Sequence, residues 1–138
     1  MSASNFALRL GDVRESLLPG NIATHKGSKM AWPILSGMSL VLLEIPAESS
    51  RSPHYHLNTG EVVLVANGSV RAGLVDTNGH IHEFDLNEGD CGFFPGGWIH
   101  WLQNTHKKSA RLYVFHSHEQ PVTVEVSKVL HDLERVSH

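Results

Sequence analysis

Two imidazoles one residue apart, His54 and His56, are followed by a carboxylate, Glu61, and far along the chain by a third imidazole, His100. Side chains alternate along an extended strand, so His54 and His56 project to one side. The stretch Leu57–Gly60 can turn the chain back and bring Glu61 to the point the two rings face. Three neutral imidazoles and one carboxylate suit a divalent transition ion, one per chain: Mn first, with Fe, Ni, Zn and Co as alternatives. With a 2+ ion the set keeps a net positive charge. An octahedral ion then leaves two positions open for water, substrate or dioxygen. The bland alternatives are ordinary polar residues on a rim, or a metal that binds and does no chemistry.

These residues need strands to hold them, and the chain supplies many short ones. Met38–Ile45, Glu61–Ala66, Ser69–Val75, Cys91–Phe94 and Arg111–His116 are apolar or alternating runs rich in β-formers. His54–His56, His80–Phe84 and Ile99–Gln103 complete the set. Turn signals separate them at Asn67-Gly68, Asn78-Gly79, Glu88-Gly89 and Pro95-Gly96-Gly97. Strands of this length and spacing predict a sandwich or barrel. Residues 1–37 read as irregular chain or short strands, 38–120 as the barrel core and 121–138 as a tail, all in one domain. In the tail, Val126, Val129, Leu130, Leu133 and Val136 fall at helical spacing. That predicts an amphipathic helix over Glu125–Val136, its apolar stripe packed on the barrel. Val63 and Val65 share strand parity with Glu61, and Trp98 and Leu102 share it with His100. All four are expected to point inward around the site.

The two histidine-bearing stretches resemble the paired motifs of the cupins. The first motif is Gly, five residues, His-x-His, three or four residues, Glu, six residues, Gly. His54, His56, Glu61 and Gly68 match it, while Glu48 stands where it opens with glycine. The second is Gly, five residues, Pro-x-Gly, two residues, His, three residues, Asn. Gly89, Pro95, Gly97, His100 and Asn104 match it in full. The resemblance implies an all-β fold, the double-stranded β-helix or jelly-roll barrel, here with one C-terminal α-helix.

The run Arg51-Ser-Pro-His54-Tyr-His56-Leu-Asn58-Thr59-Gly-Glu61 is similar to oxalate decarboxylases, chiefly to one of their two cupin domains. The likeness extends over about residues 38–135. It implies that Arg51 binds and polarises a carboxylate substrate, and a guanidinium beside a metal-bound carboxylate suits that task. By strand parity alone Arg51 would face away from the ligands, but Pro53 interrupts the parity and leaves its direction open. Those decarboxylases donate a proton from a glutamic acid on a lid or on a late strand. Tyr113 occupies the late-strand place, and nothing after Phe115 resembles the lid. Tyr113 is therefore the candidate second catalytic residue, with His116 or a bound water as substitutes. The resemblance implies a metal-dependent enzyme acting on a small carboxylate or a keto/enol compound. A dioxygenase or isomerase, or a non-catalytic binding module, remains the alternative.

The second His-x-His pair, His116 and His118, lacks a following carboxylate and reads as surface or rim, as do His80 and His82. His25 is assigned to a loop and given no role. Cys91 reads as a small buried hydrophobe beside Phe93, and a lone cysteine forms no internal disulfide. With 138 residues, 41% hydrophobic and 18% charged, the chain can bury a core. A net charge of −3 suggests neither nucleic acid nor a membrane surface as partner. The N-terminus lacks the apolar stretch of a signal peptide, and a cytoplasmic protein is expected. Both faces of Glu61–Ala66 are apolar; cupins often pair through their outer sheet, so the resemblance implies a homodimer, while cover by the second sheet and the N-terminal strands explains the pattern equally well.

Overall fold

A strand buried on one face must alternate, and the pattern of buried positions shows which way each one turns. The computed structural model describes residues 4–136. Its strands are β1 (Ala23–Gly27), β2 (Ser39–Ile45), β3 (Ser50–His56), β4 (Glu61–Asn67), β5 (Ser69–Val75), β6 (Ile81–Asn87), β7 (Cys91–Phe94), β8 (His100–Gln103), β9 (Ala110–His116) and β10 (Thr123–Glu125). One helix, α1 (Val126–Val136), follows. Two five-stranded antiparallel sheets run in the orders β1-β2-β9-β4-β7 and β10-β3-β8-β5-β6. They face each other as the two walls of the expected jelly roll.

The inner faces are zoned. On β9, Ala110, Leu112, Val114 and His116 are buried in alternation. On β4 the inward series is Glu61, Val63 and Val65, and on β8 it is His100 and Leu102. Reading inward from the polar end of each strand, an ionisable residue gives way to aliphatic ones. The aliphatic zone of Ile45, Val63, Val65, Val70, Ala72, Leu102 and Leu112 is essentially inaccessible to water. Burying it supplies the main driving force for folding. The ionisable zone sits above that dry floor.

Two edge strands come from outside the central motif region. β1 pairs with β2, and the strand carries His25, buried on the outer side of its sheet and not in a loop. β10 pairs with β3, placing Thr123 beside His56 and Glu125 beside His54. The helix departs from expectation. None of its residues is buried, and Leu130 and Leu133 are each 57% exposed. Its main contacts with the barrel are to β3 and β10. Because α1 leaves from the sheet edge directly after β10, most of its apolar stripe projects past the barrel.

Turn geometry explains two motif glycines. Gly68 has φ +85°, and a Cβ there would come within 3.1 Å of Ser109 O. Gly97 has φ +81° and donates its N–H to His56 O at 3.0 Å, tying the Pro95 corner to β3. Glu48, at the motif's missing opening glycine, adopts φ +60°. A side chain in that left-handed region costs roughly 1–2 kcal/mol, part of which glycine would lose again through its freer unfolded state. Replacing Glu48 with Gly is expected to raise the melting midpoint by about 2–4 °C in a thermal scan. A lowered midpoint would contradict the strain.

Candidate metal centre

β3 carries His54 and His56, β4 begins with Glu61, and β8 begins with His100. Antiparallel pairing sets His54 directly opposite His100. One potential ligand atom from each of the four residues lies within 4.8 Å of all the others, and all four side chains are buried. The carboxylate is the hub. Glu61 Oε1 lies 2.6 Å from His56 Nε2 and 3.0 Å from His100 Nε2.

The rings are oriented from behind. His54 Nδ1 donates to Ser52 O at 2.8 Å, and His100 Nδ1 donates to Trp98 O at 2.9 Å. His56 Nδ1 meets Thr123 Oγ1 at 3.0 Å. A carbonyl only accepts, so a neutral His54 or His100 keeps its proton on Nδ1 and turns a bare Nε2 lone pair to the cluster. This outer support is what metal-binding histidines ordinarily have. In neutral His100 that lone pair faces the Glu61 oxygen, and two acceptors so close call for a cation beside them. Phe94 stacks on His100, with ring centroids 4.5 Å apart, and fixes its plane.

Electrostatics favour the same state. Burial, then the Arg51 guanidinium and His100, push His54 down to about 2. Burial also lowers His56, against the pull of Glu61. Burial alone would raise Glu61, but contacts from His100, His116 and His56 outweigh it and hold the carboxyl well below its usual range. Two imidazoles kept neutral and one carboxylate kept ionised are ready to receive a metal. The donor set fits a divalent transition ion.

Arg51 joins this group through a β-bulge. On β8, one residue separates Leu102 from His100; on β3, Ser52 and Pro53 separate their partners Arg51 and His54. The extra residue resets parity, so Arg51 and His54 both turn inward, and Arg51 is only 8% exposed. Pro53 has no N–H to offer a ladder, which suits it to the bulge. Arg51 and the three histidines His54, His56 and His116 line one cavity of about 150 Å³ with Glu61 and Glu125. Two parallel bonds hold Arg51 to Glu125: Nη2 to Oε1 at 2.7 Å and Nη1 to Oε2 at 3.0 Å.

Residues 20–137 match the cupin family. This chain belongs to the cupin family. It is 30% identical over 94 residues to a putative germin-like protein 9-2 of rice, Oryza sativa subsp. japonica, covering 67% of this chain and 44% of that protein. It is 29% identical to germin-like protein subfamily T member 2 of Arabidopsis thaliana, covering 88% of this chain and 56% of that protein. The chain thus spans about half the length of these curated relatives. In structure it is similar to oxalate decarboxylase of Lactobacillus farciminis, with a TM-score of 0.83, 17% identity, and coverage of 88% of this chain and 36% of that one. A deletion mutant of the Bacillus subtilis oxalate decarboxylase gives a TM-score of 0.84 at 19% identity, with coverage of 89% of this chain and 32% of that one. At such identities these structures share the fold.

The remaining cupin motif residue, Asn104, is structural. It is buried, its amide donates to Lys108 O at 2.8 Å and Ile45 O at 3.0 Å, and its oxygen accepts from His106 N. Several sequence expectations need correction. Tyr113 is not in the site. Leu112, Val114 and His116 take the inward positions of β9, so Tyr113 turns outward, in register with Leu42 and Leu64. His116, expected at the surface or rim, is 7% exposed and sits inside, its Nε2 3.5 Å from Glu61 Oε1. Alternation from Leu112 and Val114 was the signal that could have placed it. Its neighbour His118 does lie near the surface. Cys91 is exposed on the outer face of β7 and not buried. Trp98 leans into a shallow groove with Phe84 and Phe93 and not into the metal cavity. His82 and His80 are exposed, with His82 bonded to Asp76 at 2.8 Å.

The lowered histidines give stability a pH dependence of defined sign. Unfolded, His54 and His56 take up protons near pH 6.5, whereas the fold resists protonation. Stability of the metal-free protein is therefore complete above about pH 6.5 and falls as pH drops below it, by up to about 1.4 kcal/mol per pH unit for each ring. Glu61, depressed in the fold, adds a loss of the same sign at lower pH. Denaturant unfolding at pH 8, 7, 6 and 5 checks this, and His54→Asn is expected to flatten the slope between pH 6 and 5.

Proposed function

We propose that this cupin holds one divalent transition metal, manganese first, through His54, His56, Glu61 and His100. We propose that it acts there on a small carboxylate or keto/enol compound. The observation that carries the reading is the buried Arg51 guanidinium lining the same cavity as His54, His56 and Glu61. Manganese is favoured by structural similarity to the Bacillus subtilis oxalate decarboxylase, which has Mn(II) centres. When bound, the ion supplies a Lewis acid and, as Mn or Fe, a redox partner for dioxygen.

The chain's own residues do the rest. Arg51 offers a planar fork that matches a carboxylate with two parallel bonds. Glu125 occupies that fork in the structure, and its side chain is 36% exposed, so an incoming carboxylate can replace it while Glu125 turns to water. Leu43, Leu102 and Val114 line the cavity with apolar surface and strengthen each polar contact inside. A cavity of about 150 Å³ is well below the roughly 300–1,000 Å³ of sites for drug-sized ligands, which favours a ligand of a few carbons.

A binding module is the second reading, and one observation favours it. Among the described residues, the carboxylates lining the cavity are Glu61 and Glu125. The first sits among the rings and the second is paired with Arg51, so no acid stands free to protonate a carbanion. One experiment separates the readings. Protein loaded with Mn(II) is assayed for metal content, then given oxalate and simple 2-keto acids, with carbon dioxide, formate and oxygen uptake as readouts. Roughly one ion per chain and turnover are expected, with metal lost in His100→Ala. In Arg51→Ala, metal should be kept and kcat/KM should fall about ten- to hundredfold. Binding without turnover selects the module, and a metal-free product rejects both.

We propose further that the protein pairs as a homodimer through the outer face of the β2-β9-β4-β7 sheet. Leu40, Phe115, Val62 and Phe93 stand in register across it, with Phe93 60% and Phe115 44% exposed. A two-fold axis on that face would set this apolar row against its own copy. Light scattering should give a dimer mass, reduced to the monomer by Phe93→Glu combined with Phe115→Glu. A monomeric wild type would end this idea.

A further inference from the structure

Among the described residues, His116 is the one buried titratable group lining the cavity that neither the ligand set nor Arg51 accounts for. It sits at the end of β9, in register with Ser39 on one side and Glu61 on the other. It is 7% exposed, and neither ring nitrogen has a hydrogen-bond partner. Glu61 Oε1 is 3.5 Å from Nε2, a long and weak contact. Leaving a polar group buried and unpaired is costly, so such groups ask for an explanation.

The ring is held in place by its surroundings. Ser39 Oγ donates to His118 O at 2.7 Å, and Ser117 N donates to Thr59 Oγ1 at 2.8 Å, pinning the chain just beyond the histidine. The His56 ring meets His116 edge-on, with centroids 4.8 Å apart. His116 is outside the four-residue cluster whose ligand atoms are mutually within 4.8 Å. It nevertheless lines the same cavity as Arg51, from the facing sheet. The cavity therefore has a fork of donors on one wall and an unsatisfied imidazole on the other.

We propose that His116 is a ligand-contacting residue: its imidazole hydrogen-bonds a second oxygen of a small carboxylate whose first carboxylate end lies on Arg51. The ligand class is a short carboxylate bearing a further oxygen function, such as a second carboxylate or a 2-oxo group. Imidazole can donate from one nitrogen and accept at the other, so it serves either an oxyanion or a hydroxyl. Leu43, Leu102 and Val114 supply the apolar part of the same cavity wall. This inference rests on the carboxylate reading above and adds the residue that would select among carboxylates.

The test is calorimetric binding of oxalate and, as a control lacking the second oxygen function, acetate to Mn(II)-loaded protein, with metal content measured in every sample. His116→Phe is expected to keep its metal and to bind oxalate about ten- to hundredfold more weakly, while its weaker acetate affinity stays unchanged. His116→Gln, which keeps a donor and an acceptor, is expected to recover most of the oxalate affinity. Unchanged oxalate binding in His116→Phe overturns the inference and leaves the carboxylate reading standing. Loss of metal in both variants overturns it too, because His116 would then belong to the metal set. Metal-loaded wild type that binds neither anion overturns the carboxylate reading itself.

Discussion

A buried carboxylate among imidazoles is the constraint that organises this molecule. Glu61 is 4% exposed, and an ionised carboxyl so placed is tolerated only with partners. The partners come from three different strands. His56 on β3 and His100 on β8 belong to the facing sheet, so the two sheets must come together before those contacts exist, whereas His116 on β9 is the neighbour of Glu61 within its own sheet. Of the rings that make those contacts, His56 is pushed toward its neutral form by its own burial. A divalent cation among them would complete the charge arrangement, and the fold supplies the outer hydrogen bonds that aim each ring.

The dry zone below makes that arrangement affordable. Val63, Val65, Leu102 and Leu112 continue the same inward faces that carry Glu61, His100 and His116. A strand that buries its aliphatic residues has no freedom to turn its ionisable one elsewhere, because slipping by one residue would invert the whole face. Core packing and ligand placement are thus one constraint on each strand. The bulge at Ser52–Pro53 is the exception that proves useful: it lets β3 break the alternation once and bring a third inward group, Arg51, to the cavity beside His54 and His56.

The outside of the barrel follows different physics. The row from Leu40 to Phe93 and the stripe through Leu130 and Leu133 are apolar yet exposed. The two surfaces are separate, one on an outer sheet face and the other on a helix whose main contacts are to β3 and β10. Val62, Phe93, Phe115, Leu130 and Leu133 do not line the cavity, and of the two surfaces Leu40 alone borders it.

Much of this was legible along the chain. The spacing of His54, His56, Glu61 and His100, with Gly68, Gly89, Pro95 and Gly97 at the turns, determined the ligand candidates, the cupin resemblance and most strand positions, because turn chemistry and period-two alternation are local. The helix was also visible from its 3.6-residue period. What it packs against was not, since periodicity reports an apolar face and never its partner. Tertiary structure alone decided that Arg51 faces the ligands, because a bulge is defined by two strands together. It alone paired Arg51 with Glu125, 74 positions away. It also exchanged Tyr113 for His116 as the inward residue of β9, since which face is interior depends on the opposing sheet. Contacts across a sheet are set by register, and register exists only once the partner strand is in place.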